Sequence, residues 1–248
     1  MRKSIFILLL CFPLAALAQK DVVTFGMQLR PLIPNSFVDF GPVTKEAEGL
    51  EATWDPKLSL NFGMIIRYGF TDNFSFETGI NWVRRNYQVT MKEESEVVQA
   101  DMRFGLIGYE IPIQGLYYVR LGEELWMNAS GGISLDMYPS STYSTTSVKR
   151  DAVFFDFEQW TARNAWVQLA VQANYGFEWR TKDNGYYYIG ATYHQPFNDM
   201  AITEAQVSWE QEIKDVFGTL SGNYFTVDLR YFFHEDPERR KKTKKAPR

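Results

Sequence analysis

A serine, a carboxylate and a histidine are the residues of this chain whose types could support acyl hydrolysis. Ser134 and Asp136 lie near one end of a predicted strand, and His194 lies near the same end of another. A serine nucleophile requires a base that an acid orients, so these side chains would have to meet at one rim of the fold. The sequence around Ser134 lacks a nucleophile-elbow motif. We therefore interpret His194 as a hydrogen-bonding residue, and a loop-borne hydrolase stays an alternative.

The composition excludes several classes of function. The chain has 248 residues, one cysteine, two histidines and a formal net charge of −4. One cysteine rules out a disulfide framework and a cysteine-based zinc site, and two histidines leave little for a metal centre. The acidic balance argues against nucleic acid as a partner. We therefore expect no cofactor, no metal, no assigned catalytic residue and no nucleic-acid partner.

The N-terminus has the pattern of an export signal. Basic residues precede an apolar stretch over residues 5–18, which ends in Ala-Leu-Ala. This is a small-x-small cleavage pattern, and the stretch is shorter than the roughly 20 apolar residues that a spanning helix needs. We therefore predict a cleaved signal peptide over 1–18, a folded domain over 19–233 and a disordered basic tail over 234–248.

Alternation of apolar and polar residues dominates the rest of the chain. From Val167 to Trp179 the odd positions are apolar and the even positions are polar or small. A period of two is typical of a strand with one apolar face. A change of phase near Leu106-Ile107 predicts a β-bulge. Eight strands are predicted, near residues 22–33, 58–70, 74–91, 98–120, 124–138, 167–179, 186–197 and 225–233.

Three features favour a membrane barrel over a soluble one. The strands are longer than those of a typical soluble sheet and suit tilted membrane strands. Short turns alternate with long connections at 34–55, 139–165 and 198–221, and the long loops of outer-membrane barrels are external. Aromatic residues cluster on the apolar face beside the short turns, where an interfacial girdle would lie. We therefore predict an all-β fold, a transmembrane antiparallel up-and-down β-barrel of eight strands, in the outer membrane.

Charged residues on the polar face of these strands are predicted to form a salt-bridge network in the lumen. An eight-stranded barrel is just wide enough for side chains to fill, and buried charges must be paired. Because both signs occur in similar number, a filled cylinder is favoured over a narrow passive channel, which stays an alternative. The predicted network consists of Arg30, Arg67, Glu77, Arg103, Glu110, Asp136, Glu178, Asp228 and Arg230.

The long loops and the tail are the predicted contact sites. Loops 34–55 and 198–221 each carry a net charge of −4, which suits cations or a basic partner. Residues 201–217 are also compatible with a short amphipathic helix. Aromatic residues in loop 139–165 predict a protein-contact patch, a strand above the bilayer or a lid. The predicted contact residues are Phe154, Phe155, Phe157 and Trp160 in this loop, and Arg239, Arg240, Lys241 and Lys242 in the tail.

The segment from Leu60 to Gly79, with Tyr-Gly-Phe-Thr-Asp-Asn-Phe at its centre, resembles the second hairpin of small outer-membrane barrels of Bacteroidota, the PorT-like group shaped like OmpX and OmpA. Tyr109–Ile113 and Asn128–Gly132 are similar to that group's fourth and fifth strands. The end at Phe233 resembles the aromatic signal that the barrel-insertion machinery reads.

This resemblance implies a component of the cell envelope, since barrels of this shape include parts of the type IX secretion and gliding systems. We expect a non-catalytic structural or accessory protein in contact with outer-membrane lipid and lipopolysaccharide. Its loops or its periplasmic tail would bind an envelope protein complex or peptidoglycan.

Overall fold

The computed structural model describes residues 22–181 and 184–233, most of which form β-strands. Among them, no helix has the length and apolarity to cross a membrane. Eight strands coincide with the predicted ones: β1 (Val23–Leu32), β3 (Leu50–Gly69), β4 (Phe74–Glu93), β5 (Val98–Arg120), β6 (Leu125–Met137), β9 (Val167–Arg180), β10 (Tyr186–Pro196) and β13 (Tyr224–Phe232). Five more lie in segments predicted as loops: β2 (Val43–Ala47), β7 (Thr142–Arg150), β8 (Val153–Arg163), β11 (Ala201–Trp209) and β12 (Glu212–Leu220).

The eight coinciding strands form a closed antiparallel ring. Each pairs with its neighbours in the order β1, β3, β4, β5, β6, β9, β10 and β13, and β13 returns to β1. The first and last strands are joined through pairs such as Leu29 with Leu229. The predicted up-and-down barrel is confirmed, and its interior is just wide enough to be filled by side chains.

The two faces of the barrel wall exchange character along the strands. On the lower part of β4, near the short turn, Glu77 points inward and is buried, whereas Ile80 points outward and is exposed. From Tyr87 to Met91 the inward residues are apolar, as with the buried Val89, and the outward ones nearby are polar, as with the exposed Lys92. An apolar outer belt over a polar interior is the arrangement that a bilayer requires. An apolar interior under a polar surface is that of a soluble domain.

The upper part of the strands belongs to a folded extension, which we call the head (residues 34–57, 86–107, 139–165 and 198–222). One wall is β2 with the upper halves of β3, β4 and β5, and the other is a sheet in the order β7, β8, β11 and β12. The head lies opposite the short turns, on the external side of such barrels. Its buried apolar core includes Leu50, Trp54, Val89, Met91, Met102, Phe104, Phe155, Phe157, Ala205, Val207 and Val216.

The structure corrects some sequence-based predictions about the head and confirms one alternative. Residues 201–217 form the strands of a hairpin and not a helix. Ala205, Val207 and Val216 pack the head core, whereas Ile202, Ile213 and Phe217 of the predicted apolar side are exposed. The connection at 139–165 is a folded hairpin, as the alternative of a strand above the bilayer predicted, and the connection at 198–221 is a hairpin and not an open loop. Phe155 and Phe157 are 2% and 0% exposed, so they pack the core and cannot contact a partner.

The bulge predicted at Leu106-Ile107 is also wrong. Strands β4 and β5 pair without a register shift, and every even-numbered side chain of β5 down to residue 118 points inward. The apparent change of phase is the change in the interior from the apolar Leu106 to the polar Glu110. A register shift lies instead in β3, between Lys57 and Leu60.

Candidate functional site

The lower lumen is organised around Arg67. Its guanidinium donates to Glu77 Oε2 at 2.9 Å and to Glu178 Oε2 at 2.6 Å. Arg180 Nε donates to the second oxygen of Glu178 at 2.6 Å, and the Arg67 guanidinium carbon lies 3.9 Å from the centre of the Phe232 ring. Strands β3, β4 and β9 are thus joined across the barrel by charge-assisted bonds, which are the stronger kind of hydrogen bond, and β13 is joined to them by a cation–π contact.

The middle layer is organised around Asp228. Arg30 Nε and Arg230 Nη2 donate to this carboxylate at 3.3 and 2.8 Å, and the hydroxyls of Thr192 and Thr226 donate to it at 2.6 Å each. Arg230 Nη1 also donates to Glu77 at 2.8 Å. The middle and lower layers are therefore one continuous network.

The upper layer holds two carboxylates, Glu110 and Asp136, directly beneath the head. Glu110 accepts bonds from Arg85 Nη2 at 3.1 Å, from the Tyr224 hydroxyl at 2.7 Å and from Asn61 Nδ2 at 3.1 Å. The rings of His194 and Tyr224 stack with centroids 4.4 Å apart. Glu110 and Arg85 thus form a buried ion pair, and the remaining bonds to Glu110 come from neutral donors, which reduces the cost of burying the carboxylate.

Of the nine residues predicted for the network, eight lie in the lumen and are at most 5% exposed. Arg103 is the exception and corrects the prediction. It lies on the outer face of β5 and is exposed, because the strand has no bulge to turn its odd-numbered residues inward.

Two luminal arginines were missed, Arg85 and Arg180. Arg85 shares the inward parity of Glu77 on an unbroken β4, so continuing that parity through the charged pair Arg84-Arg85 would have found it. With them, the described residues place five arginines in the lumen, Arg30, Arg67, Arg85, Arg180 and Arg230, and five carboxylates, Glu77, Glu110, Asp136, Glu178 and Asp228. The two sets of charges cancel.

The structure brings Ser134, Asp136 and His194 together, but not in the order that hydrolysis needs. Ser134 Oγ donates to Asp136 Oδ1 at 2.6 Å, and His194 Nε2 lies 2.8 Å from Asp136 Oδ2. The other ring nitrogen lies 2.7 Å from Gln172 Nε2. Because an activated serine needs the imidazole at its own hydroxyl, and all three residues are 0% exposed, this geometry gives the hydrolase alternative no support.

Glu110, Asp136 and His194 each place one potential ligand atom within 4.8 Å of the others. A metal ion would have to displace the hydrogen bonds that these groups already make. It would also add its charge beside Arg85, whose Nη2 lies 3.1 Å from Glu110. We therefore interpret this cluster as part of the lumen network.

The outer face of the head carries a cavity of about 380 Å³. Tyr143 and Trp160 are direct cross-strand partners on β7 and β8, and they are 58% and 51% exposed. Trp160 in turn pairs with Glu204 on β11. The described lining consists of these three residues with Glu158 and Gln206, so two aromatic rings face two carboxylates and no cationic side chain.

Glu158 and Tyr143 interact directly within this cavity. Partial burial, and then the hydrogen bond with the Glu158 carboxylate, raises the pKa of the Tyr143 phenol. The phenol is therefore protonated at neutral pH. Of the predicted contact residues, Trp160 lines the cavity and Phe154 is exposed outside it. Arg239, Arg240, Lys241 and Lys242 lie outside the described residues.

These features define an eight-stranded outer-membrane β-barrel with a folded external head. The family model of the outer membrane protein beta-barrel domain matches residues 21–200. The chain belongs to this family, and the predicted outer-membrane location is confirmed.

Solved structures resemble the chain at low sequence identity. The outer membrane protein OprG from Pseudomonas aeruginosa is 13% identical, with a TM-score of 0.50 over 88% of this chain and 99% of that one. The β domain of the Bordetella autotransporter BrkA is 11% identical, with a TM-score of 0.32 over 86% and 98%. The outer membrane protease OmpT from Escherichia coli is 9% identical, with a TM-score of 0.31 over 86% and 94%.

At these identities the OprG likeness shows the fold alone. No protein of curated function matches the chain. The PorT-like resemblance stays a prediction.

Proposed function

We propose that the protein is a non-catalytic and non-conducting outer-membrane anchor whose head binds another component of the envelope. The observation that carries this proposal is the continuous filling of the interior. Paired charges occupy the lumen, and the apolar core of the head lies directly above them. We propose the external cavity at Tyr143 and Trp160 as the surface of the head that makes this contact.

The filled lumen argues against passage of solutes. Arg30, Arg67 and Arg85 span its three layers, and each is at most 2% exposed. Removing one partner of such a buried ion pair is strongly unfavourable. A water-filled path would require several of these pairs to separate together, which makes the channel alternative the weaker one.

The chemistry of the cavity favours a basic partner. Glu158 and Glu204 supply two negative charges, and the exposed faces of Tyr143 and Trp160 attract cations through their π electrons. A lysine or arginine side chain of a partner would gain from both. The same negative charges disfavour an acidic ligand, so the cavity should select a partner by the sign of its charge as well as by its shape.

Co-purification tests the proposal. The tagged protein is extracted from its native outer membrane in mild detergent, and stoichiometric partners are identified by mass spectrometry. We expect a partner that is retained by the native chain and lost by the Trp160→Ala and Glu204→Gln variants. Phe154→Ala is the matched control, because Phe154 is an exposed aromatic residue on the same face of β8 but outside the cavity. A protein that purifies alone, or equally well with every variant, would contradict the proposal.

The PorT-like resemblance suggests the secretion or gliding apparatus as the envelope complex, and the basic tail is a second candidate contact. A truncated chain that ends at Phe233 distinguishes the basic tail from the head cavity as the contact surface. If the tail carries the contact, this truncation loses the partner while Trp160→Ala keeps it. Peptidoglycan would be the tail's partner if the truncation instead reduces sedimentation with purified sacculi.

A further inference from the structure

Three cationic side chains lie on the outer surface where the apolar belt ends. Lys57, Arg84 and Arg103 come from the adjacent strands β3, β4 and β5 and line one cavity of about 620 Å³. Below them the outer face is apolar, with Leu58 67% exposed. This level of an outer-membrane barrel faces the headgroups of the outer leaflet.

The register shift in β3 aims two kinds of side chain at the membrane surface. Between Lys57 and Leu60 the strand gains one residue relative to β4, so Lys57 and Leu58 both reach the outer face. Ser59 Oγ donates to the Lys57 carbonyl at 2.7 Å, and Asn86 Nδ2 donates to the Leu58 carbonyl at 3.0 Å. The bulge therefore presents a cation and an apolar contact at neighbouring positions, a known use of bulges.

Arg84 is held in place by a hydrogen bond, and neither arginine of this cavity is neutralised by a carboxylate in the described part of the chain. Arg84 Nε donates to Asn86 Oδ1 at 3.1 Å, which leaves its terminal nitrogens for another acceptor. Neither Arg84 nor Arg103 forms an ion pair with any residue in the described part of the chain, whereas Lys57 pairs with Asp55. Gly105 lies between them, and a Cβ there would come within 3.2 Å of Arg84 Nε. The missing side chain leaves room for the guanidinium to lie across the strand.

We infer that this cavity binds the phosphate of a phosphorylated outer-leaflet lipid. Guanidinium groups match phosphate oxygens in a bidentate manner, and a lysine adds a point charge. The exposed Leu58 beneath would contact the acyl chains of the same lipid. A free anion would use the cations but not this apolar contact, so the arrangement favours a lipid over a soluble phosphate.

The test uses delipidated full-length protein in detergent, with diphosphorylated lipid A as the probe and native mass spectrometry as the readout. We expect one retained lipid on the native chain and an affinity at least about tenfold lower for the Arg84→Gln/Arg103→Gln double variant. The Lys149→Gln/Arg150→Gln variant removes two exposed charges from β7 and should bind as the native chain does. Heat-modifiable migration in gels verifies that each variant is a folded barrel.

A second variant keeps every charge. Gly105→Ala should weaken binding by displacing the Arg84 guanidinium, with less effect than the double variant. Equal binding by the native chain and the double variant would overturn the inference. Equal binding of dephosphorylated lipid A, or displacement by millimolar inorganic phosphate, would show a purely apolar or a soluble-anion site and would overturn it as well.

Discussion

Arg85 Nη2 lies 3.1 Å from Glu110 Oε1 at the level where the interior of the protein changes from polar to apolar. Two residues farther along β4, the inward Tyr87 already belongs to the head core. One unbroken strand therefore serves as the wall of a membrane barrel and then as the wall of a soluble-like domain. The ion pair closes the upper end of the luminal network.

Replacing Arg85 by methionine should destabilise the barrel by about 3–5 kcal/mol, because it leaves the Glu110 carboxylate buried without its cation. The free energy of unfolding from urea titrations in detergent measures this loss. The double variant Arg85→Met/Glu110→Gln should recover part of it, since neither charge then remains unpaired. A single variant as stable as the native chain would show that the pair does not hold the upper lumen.

Phe157→Ala should unfold the head and leave the barrel intact. Phe157 is 0% exposed in the head core, and such a truncation costs about 3–5 kcal/mol. Limited proteolysis should then cleave within residues 139–165 while heat-modifiable migration persists. Phe154→Ala, three residues away on the opposite face, should change stability by less than about 0.5 kcal/mol. Loss of barrel and head together would indicate that they fold as one unit.

The stability of the head should depend on pH through Glu93 and Lys214, which join the tip of β4 to β12. Burial alone would raise the pKa of Glu93, but hydrogen bonds from Lys214, the Glu96 amide and Ser95 lower it from its ordinary 4.5. The hydrogen bond with Glu93 raises the pKa of Lys214 from its ordinary 10.5.

A carboxylate whose pKa is lowered on folding stabilises the head at a pH above its ordinary pKa, and this stabilisation is lost as the pH falls through the pKa of the folded state. A lysine whose pKa is raised on folding stabilises the head at a pH below its ordinary pKa, and this stabilisation is lost as the pH rises through the pKa of the folded state. The head should therefore loosen below about pH 4.5 and again above about pH 10.5, with a plateau between. Protease sensitivity of the head across this range measures the profile. Glu93→Gln should remove the increase in protease sensitivity at low pH. An unchanged increase in that variant would exclude Glu93 as its source.

Sequence patterns predicted the barrel well because each membrane strand obeys one simple rule, apolar outside and polar inside. That rule placed Arg67, Glu77 and Asp228 correctly in the lumen. It failed above the belt, where water replaces lipid and the rule reverses. In β5 the reversal resembles a bulge, and a bulge there would turn Arg103 inward, whereas the unbroken strand holds Arg103 on the outer face.

The cavity at Tyr143 and Trp160 was only half visible in the sequence. Alternation marks both residues as outward, but their cross-strand pairing depends on the register of the β7–β8 hairpin. Glu204 reaches the same row from a hairpin more than forty residues farther along the chain. Contacts of this kind are set by the tertiary fold and leave no local pattern.

Single-channel recording in a planar bilayer tests most directly the claim that this barrel anchors a head and does not conduct. The filled and electrically balanced lumen predicts no conductance steps from the native protein. It predicts none from the Phe157→Ala variant either, in which the head is unfolded. Discrete steps in the native protein whose ion selectivity changes in Arg67→Gln would contradict the account, because they would show a continuous aqueous path past the luminal charges.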